Sequence, residues 1–239
     1  MRLDEQTALA VLAGESAPTL RFFQWQPWAV SLGFHQSENV VDRDACRERG
    51  YDTVRRPTGG RAILHAEELT YSIVLPLGEC GLNSIYDVYQ QVSLSLLRGL
   101  HLFGVDAEYQ RSQPSALRIS PVPCFSTSAR YEIEWRGRKL VGSAQRHYQS
   151  ERGRVVLQHG SILTGPAHKE IAELLINIDP APVRSGLDQK TIDLAEVTGH
   201  IIDYEVLSGC LRKGFEDVMN ISFNEENQVS HTTFEAVHA

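Results

Sequence analysis

Apolar residues recur at helical spacing in one long segment near the middle of the chain. Side chains at three- and four-residue steps from Ile85 to Phe103 are apolar, and Gly104 follows the last of them. This spacing lines one face of a helix, and glycine is common just past a helix end. The pattern predicts a long amphipathic helix over residues 85–103.

Alternating apolar and polar residues predict strands on both sides of that helix. Residues 69–75 alternate, and residues 131–135 and 139–145 form a predicted hairpin around Gly137. The other predicted strands cover residues 20–25, 28–33, 51–56 and 154–163, and the other predicted helices cover residues 3–13, 42–49, 167–175 and 203–218. Residues 110–123, with three prolines, are predicted to be irregular. Strands and helices are interspersed without strict alternation, so the sequence predicts an α+β fold.

Length and composition indicate one large domain or two small ones. The 239 residues are 42% apolar and 22% charged, close to the average for globular proteins. We expect a domain over residues 1–222 and a flexible tail over residues 223–239, which lack an apolar stripe. No segment approaches the roughly 20 apolar residues that cross a bilayer, and the N-terminus does not resemble a signal peptide. A cytoplasmic protein with no membrane partner is therefore expected.

Charge gives a second view of possible partners. The net charge of −7 gives no reason to expect nucleic acid as a partner. Residues 130–154 nevertheless contain seven basic and three acidic residues, which is a local charge of +4. A basic face of this kind suggests docking of an acidic partner, and a solvated hairpin is the alternative.

The cysteines supply one candidate nucleophile. The four cysteines are Cys46, Cys80, Cys124 and Cys210. Their spacing fits no metal site, so free thiols and no bound metal are expected. Cys124 lies in a proline-rich loop, and a nearby lysine ammonium would favour its reactive thiolate. Cys210 falls on an apolar helical face and is predicted to lie in the core.

A pair of glycines between arginines is a candidate ligand-binding loop. Gly59 and Gly60 let a backbone pass close to a ligand, since no side chain obstructs it. Arg56 and Arg61 are candidates for holding a phosphate or carboxylate, and His65 follows closely. An ordinary hairpin turn with solvated arginines is the alternative.

Small residues inside a predicted strand mark a second candidate. Gly142 and Ala144 alternate with Ser143 after Lys139, and strands usually avoid glycine unless something approaches closely. An exposed lysine at a sheet edge is the alternative for Lys139. His159, on a later predicted strand, is a further candidate, with a hydrogen-bonded structural histidine as its alternative.

Four segments together resemble a known superfamily. RRPTGGRAILH, ELTYS, GRKLVGSAQ and LQHGSIL, in this order, resemble the superfamily of biotin–protein ligases, lipoate–protein ligases and octanoyltransferases. The resemblance covers residues 3–218. It implies a biotin/lipoate-protein-ligase-like catalytic domain, built on a mixed, largely antiparallel sheet with flanking helices. A strand that usually precedes the first helix of this superfamily is expected to be absent here.

Three details resemble the cysteine-dependent octanoyltransferases of the LipM type. Arg61 stands where lipoate ligases usually have a third glycine, and Tyr131 and Glu132 stand where they usually have Asn-Asp. Cys124 precedes Lys139 by 15 residues. The resemblance implies that Cys124 carries the acyl group and that Lys139 lowers the pKa of its thiol.

The resemblance also implies an activity and its partners. The expected reaction moves an octanoyl group from acyl carrier protein to a lysine of a lipoyl domain, such as the glycine cleavage H protein, in lipoate biosynthesis. The predicted substrate-binding residues are Arg56, Gly59, Gly60, Arg61, His65, Gly142, Ser143, Ala144 and His159. A monomer without a cofactor is expected. The alternatives are an ATP-dependent lipoate–protein ligase, an amidotransferase between lipoyl domains, and a binding module without turnover.

Overall fold

The computed structural model describes residues 1–78, 81–111 and 131–224. In chain order its elements are α1 (Arg2–Ala13), β1 (Thr19–Phe23), β2 (Ala29–Leu32), α2 (Arg43–Glu48), β3 (Asp52–Arg55), β4 (Ile63–His65), β5 (Glu68–Pro76), α3 (Ile85–Leu102), β6 (Glu108–Arg111), β7 (Tyr131–Trp135), β8 (Arg138–Ser150), β9 (Gly153–Leu163), α4 (Pro180–Lys190), α5 (Leu194–Thr198) and α6 (Tyr204–Met219). Short 3₁₀ helices cover Glu38–Val40 and Pro166–Leu174.

The strands form two sheets. The large sheet has the order β1-β5-β9-β8-β7-β6, and its neighbouring strands pair antiparallel. In the small sheet, β2 lies between β3, which is parallel to it, and β4, which is antiparallel. The predicted α+β class and its largely antiparallel sheet are confirmed.

Helices α3 and α6 cover one side of the large sheet, which we call the helix side. Their residues in the shared apolar core are Val88, Val92, Leu96, Leu100, Leu207, Leu211 and Phe215. The two helices approach closely, since a Cβ added to Gly99 would lie 2.6 Å from the Cα of Leu211. Gly214 faces the same contact, so a glycine on each helix permits the short separation.

The opposite side, which we call the loop side, contacts α1 and the small sheet. Ala8 and Val11 of α1 pack against Val74, Val155 and Leu157 of β5 and β9. A separate apolar cluster, which contains Cys46, joins the small sheet to the Pro166–Leu174 segment. Side chains alternate between the two sides along each strand, so neighbouring residues of β5 and β9 belong to different environments.

Most elements of the described residues match the predictions, and some were missed. The predicted helix over residues 85–103 is α3, and the predicted hairpin is β7–β8. Strands β4 and β6 and helices α4 and α5 were not predicted. Only Val183 and Leu187 of α4 are buried, so this helix has almost no apolar stripe to detect.

The two described cysteines differ in burial. Cys46 is completely buried, although the residues around it are charged. Cys210 is half-buried, so its predicted place in the core is wrong. Among the residues that the structure describes, no helix is long and apolar enough to span a bilayer.

Candidate active site

The glycine loop, residues 56–62, crosses the end of the small sheet. Because β3 and β4 flank β2 and do not pair with each other, the segment between them passes over β2. Gly33 lies at this crossing, and a Cβ there would collide with the carbonyl group of Gly60. Gly60 has φ 101°, a conformation that favours glycine. The alternative of a simple hairpin turn is therefore wrong.

Arg56 holds the glycine loop from beneath. Its Nη1 donates to the carbonyl and Oγ of Ser31, each at 3.0 Å. Its Nε and Nη2 donate to the carbonyl of Gly59 at 3.1 and 2.9 Å, and Nη2 also donates to the carbonyl of Arg61 at 2.7 Å. A guanidinium has five N–H groups, and these contacts account for all five. Arg56 therefore holds the backbone of the glycine loop in place.

A buried hydrogen-bonded chain continues from Arg56 to a carboxylate. Ser31 Oγ lies 2.7 Å from His65 Nε2, and His65 Nδ1 lies 2.7 Å from Glu68 Oε1. Each of these side chains is at most 3% exposed. Both ring nitrogens of His65 have partners within the protein, so in this arrangement His65 is not placed to take a proton from a substrate.

The same oxygen of Glu68 accepts hydrogen bonds from two hydroxyl groups. Thr70 Oγ1 donates to Glu68 Oε1 at 2.6 Å, and Ser161 Oγ donates to it at 2.8 Å. Trp25 stacks on the His65 ring, with centroids 4.4 Å apart, and its Nε1 donates to Thr70 at 2.9 Å. The imidazole is thereby held in place from its edge and from its face.

His159 reaches the glycine loop from the large sheet. Its Nε2 lies 2.6 Å from Thr58 Oγ1, and its Nδ1 lies 3.7 Å from Asp4 Oδ2. Burial lowers the pKa of His159, which is 4% exposed. Arg21 donates to the other oxygen of Asp4 at 2.9 Å. His159 thus links α1 to the glycine loop, which is the hydrogen-bonded role that the sequence left open.

The small residues of β8 face the loop side, and Ser143 does not. Gly142 pairs with Ser161 and Ala144 pairs with His159, so both share the side of the glycine loop. Ser143 pairs with Gly160 and points to the helix side. The structure therefore separates Ser143 from the other predicted substrate-binding residues of β8.

Ser143 belongs to a buried neutral network on the helix side. Tyr71 donates its hydroxyl proton to Ser143 Oγ at 2.7 Å and accepts from Gln158 Nε2 at 3.0 Å. Burial raises the pKa of Tyr71 to about 12. A Cβ on Gly160 would lie 2.7 Å from Tyr71 Cε1, so this glycine makes room for the tyrosine ring.

Lys139 forms a buried ion pair. Its Nζ lies 2.6 Å from Glu132 Oε1, and the two side chains are 6% and 5% exposed. Ser143 is the hydrogen-bond partner of Tyr89, and the charge of Glu132 acts on Tyr89. Burial is the main cause of the raised pKa of Tyr89. The alternative of an exposed lysine at a sheet edge is wrong for Lys139.

The basic residues of segment 130–154 do not form one compact face. Strand β8 carries Arg138 at its start, and its 13 residues span about 40 Å at the usual rise per residue. Arg138 pairs with Glu196 at 2.6 Å, and Arg146 donates to the Pro57 carbonyl at 2.8 Å. Arg152, beyond the end of β8, donates to a carbonyl of α1. These contacts divide the local positive charge among separate parts of the fold.

The structure assembles part of the predicted site. The residues on the loop side are Arg56, Gly59, Gly60, His65, Gly142, Ala144 and His159, together with Asp4, Ser31, Thr58 and Glu68, which the sequence did not single out. Arg61 is held through its carbonyl. Cys124, the predicted nucleophile, and Cys80 lie outside the described residues. The sequence contains a signal for Glu68: polar residues occupy the alternate positions Glu68, Thr70 and Ser72 of β5, and the structure shows that all three are buried.

Comparison with known proteins identifies the family. The profile of the lipoyl protein ligase A/B catalytic domain matches residues 1–216. The chain belongs to this family. A protein named Octanoyltransferase LipM from Symbiobacterium thermophilum is 37% identical over 230 residues, which cover 93% of this chain and 82% of the relative. Another of that name, from Kyrpidia tusciae, is 36% identical and covers 92% and 82%. The chain is accordingly an enzyme of the acyltransferase class.

A solved structure supports the assignment of the fold. The bipartite lipoate protein ligase from Thermoplasma acidophilum superimposes with a TM-score of 0.70 at 20% identity, over 94% of this chain and 81% of that one. This chain therefore shares its fold with that lipoate protein ligase.

Proposed function

We propose that this enzyme transfers an octanoyl group from acyl carrier protein to a lysine of a lipoyl domain through a thioester on Cys124. The observation that carries the proposal is the 37% identity, over 93% of the chain, to a protein named Octanoyltransferase LipM. Octanoyl transfer in lipoate biosynthesis is the activity that such relatives support. The donor, the acceptor and the covalent route are the finer parts of the proposal.

The proposed chemistry has two balanced steps. The Cys124 thiolate attacks the thioester carbonyl, the new C–S bond forms, and the carrier leaves as a thiolate that takes up a proton. The ε-amine of the acceptor lysine then attacks, an amide C–N bond forms, and Cys124 leaves as a thiolate. The surplus proton of the amine passes to water. No ATP is consumed, because the donor thioester already supplies the activation.

Lys139 is the proposed electrostatic partner of Cys124. An ammonium near a thiol favours the thiolate, and one pKa unit corresponds to about 1.4 kcal/mol. The same charge would stabilise an oxyanion that develops on the thioester carbonyl. Glu132 lies 2.6 Å from the Lys139 ammonium and offsets part of its charge, so Glu132 limits how strongly Lys139 acts on the thiol.

The loop side offers a route for the acyl chain. A Cβ on Gly59 would meet no atom of the described residues, so the space beside this glycine is open. Gly142 and Ala144 keep the neighbouring part of β8 free of bulk. An octanoyl chain gains about 0.8 kcal/mol for each CH₂ that it buries, so a narrow apolar path is sufficient to bind it.

Intact-protein mass spectrometry with octanoyl carrier protein and no ATP tests the proposal. Wild type should gain one octanoyl group, and Cys124→Ala should gain none. Cys210→Ala is the matched control because Cys210 is half-buried in α6, and it should gain the group like wild type. An octanoyl adduct on Cys124→Ala would contradict the covalent route through Cys124.

The donor separates the remaining alternatives. Modification of a lipoyl domain only when ATP and free acid are supplied would indicate a ligase. Transfer only from a modified lipoyl domain would indicate an amidotransferase. Binding without turnover by any donor would indicate a binding module.

A further inference from the structure

The hydrogen-bonded chain beneath the glycine loop has one direction. Ser31 Oγ accepts from Arg56 Nη1, so its own proton is available to His65 Nε2. The proton of His65 then resides on Nδ1 and is donated to Glu68 Oε1. With this assignment each contact from Arg56 to Glu68 Oε1 has one donor and one acceptor, whereas Glu68 Oε2 has no hydrogen-bond partner among the described residues. An imidazole with both nitrogens occupied transmits position, since neither nitrogen is open to a substrate.

This chain also fixes the direction of one loop peptide. The carbonyl of Gly59 points at Arg56, which donates to it from two nitrogens. In a trans peptide the N–H points opposite to the carbonyl, so the N–H of Gly60 points away from Arg56. Gly59 and Gly60 are both exposed, and no atom of the described residues lies within 4 Å of a Cβ built on Gly59. Arg56 therefore turns a backbone donor toward the accessible side of the loop.

We propose that Ser31, His65 and Glu68 are positioning residues, which act through Arg56 to present the Gly60 N–H to an acyl carbonyl oxygen. The identity of the ligand rests on the proposed function, whereas the positioning itself does not. Ser161 binds the same Glu68 oxygen without contacting Arg56 or the loop, so it provides an internal comparison.

Amide hydrogen exchange over residues 58–62 tests the positioning directly. In Ser31→Ala the exchange of this segment should rise about tenfold, because Arg56 and His65 lose their common partner. Ser161→Ala is the matched control, since it makes the same substitution at an equally buried serine on Glu68. Its loop should exchange at the wild-type rate. Equal exchange in the two variants would overturn the proposal.

A second variant keeps the test decisive if Ser31→Ala does not fold. Arg56→Lys retains the positive charge but has a single nitrogen, so it cannot hold Ser31, Gly59 and Arg61 together. Its loop should also exchange about tenfold faster, while the core of α3 stays protected. A loop that keeps wild-type protection in a folded Arg56→Lys would overturn the role of Arg56.

Kinetics of octanoyl transfer distinguish positioning from a merely structural role. In Ser31→Ala the kcat of octanoyl transfer should fall about tenfold while the KM for octanoyl carrier protein changes less than about twofold, because an N–H group on the reacting carbonyl acts most strongly once its oxygen becomes negative. A rise in KM with an unchanged kcat would contradict the assigned role. If wild type transfers no octanoyl group, the proposed function fails, and the exchange measurements still decide the positioning.

Discussion

The loop side and the helix side of the large sheet are built from neighbouring residues of the same strands, yet they carry different chemistry. On β9, His159 and Ser161 bind Thr58 and Glu68 on the loop side. Gln158, which precedes His159, points to the helix side and donates to Tyr71 in a neutral network. Because side chains alternate along a strand, neighbouring residues of β9 belong to hydrogen-bonded networks of ionisable groups on the loop side and of neutral groups on the helix side.

The difference indicates what each side contributes. Buried charges destabilise a protein unless they are paired or hydrogen-bonded. On the loop side the buried guanidinium of Arg56 is hydrogen-bonded to backbone carbonyls and holds the glycine loop in a defined place. The neutral network on the helix side supports the sheet beneath that place. Because the pKa of Tyr71 is raised to about 12, its hydroxyl stays protonated at physiological pH and the network keeps its hydrogen bonds. The charge of Glu132, which pairs with Lys139, acts on Tyr89 of that network.

Breaking that ion pair should have the largest effect on stability. Lys139→Met should lower the free energy of unfolding by about 3–5 kcal/mol, because it leaves the buried Glu132 carboxylate without its ammonium partner. Urea unfolding of wild type and variant measures the change. In the double variant Lys139→Met/Glu132→Leu most of the loss should be recovered. A single variant as stable as the double variant would show that the pair is not coupled.

Asp4 should make the loop side sensitive to acid. Burial alone would raise the pKa of Asp4. Pairing with His159 and the nearby positive charge outweigh burial, so the pKa of Asp4 is lowered from 3.8 to about 2. Such a lowered pKa stabilises the fold above about pH 4, and the contribution is lost as the pH falls through about 2. Asp4→Asn should therefore cost about 2.5 kcal/mol at pH 7 and little at pH 2.

Unfolding free energies at the two pH values test this expectation. Asp106→Asn is the control, because Asp106 is fully exposed in the structure and its removal should matter equally little at both pH values. An Asp4→Asn variant that loses the same stability at pH 7 and at pH 2 would contradict the lowered pKa.

Gly160 tests how tightly the helix side is packed. Gly160→Ala should cost about 2 kcal/mol, since its Cβ would collide with the carbonyl of Gly142 and lie 2.7 Å from Tyr71 Cε1. Thermal unfolding measures the loss. Adding Tyr71→Phe should not restore stability, because the collision involves the ring and the backbone, not the hydroxyl. Wild-type stability of Gly160→Ala would mean that this side tolerates repacking.

Sequence periodicity predicted the elements that bury a continuous apolar face. α3 is the clearest case, with four buried apolar residues at helical steps. It missed β4, which has three residues, and the crossing of the glycine loop over β2, because local patterns do not report sheet order. The family resemblance singled out the glycines and Lys139, and the fold class that it implied is confirmed.

The partners of those residues depend on tertiary contacts. Ser31 and His65 are 34 positions apart, and Thr58 and His159 are 101 positions apart, so no local pattern joins them. Glu132 was noted only as a departure from the usual Asn-Asp, and its pairing with Lys139 depends on the register of β7 and β8. The roles of Cys124 and of the substrate-binding residues stay predictions.

Gly59 should show the smallest effect on stability and a clear effect on transfer. Its Cβ would meet no atom of the described residues, so Gly59→Ala should change the free energy of unfolding by less than about 0.5 kcal/mol. If the acyl donor passes over this glycine, the added methyl group should raise the KM for octanoyl carrier protein about tenfold. Gly186→Ala, at an equally open glycine in α4, is the matched control and should leave KM unchanged. Equal KM values for the two variants would mean that the donor does not approach the glycine loop. In that case the loop side would hold the backbone in place for a ligand other than the acyl donor.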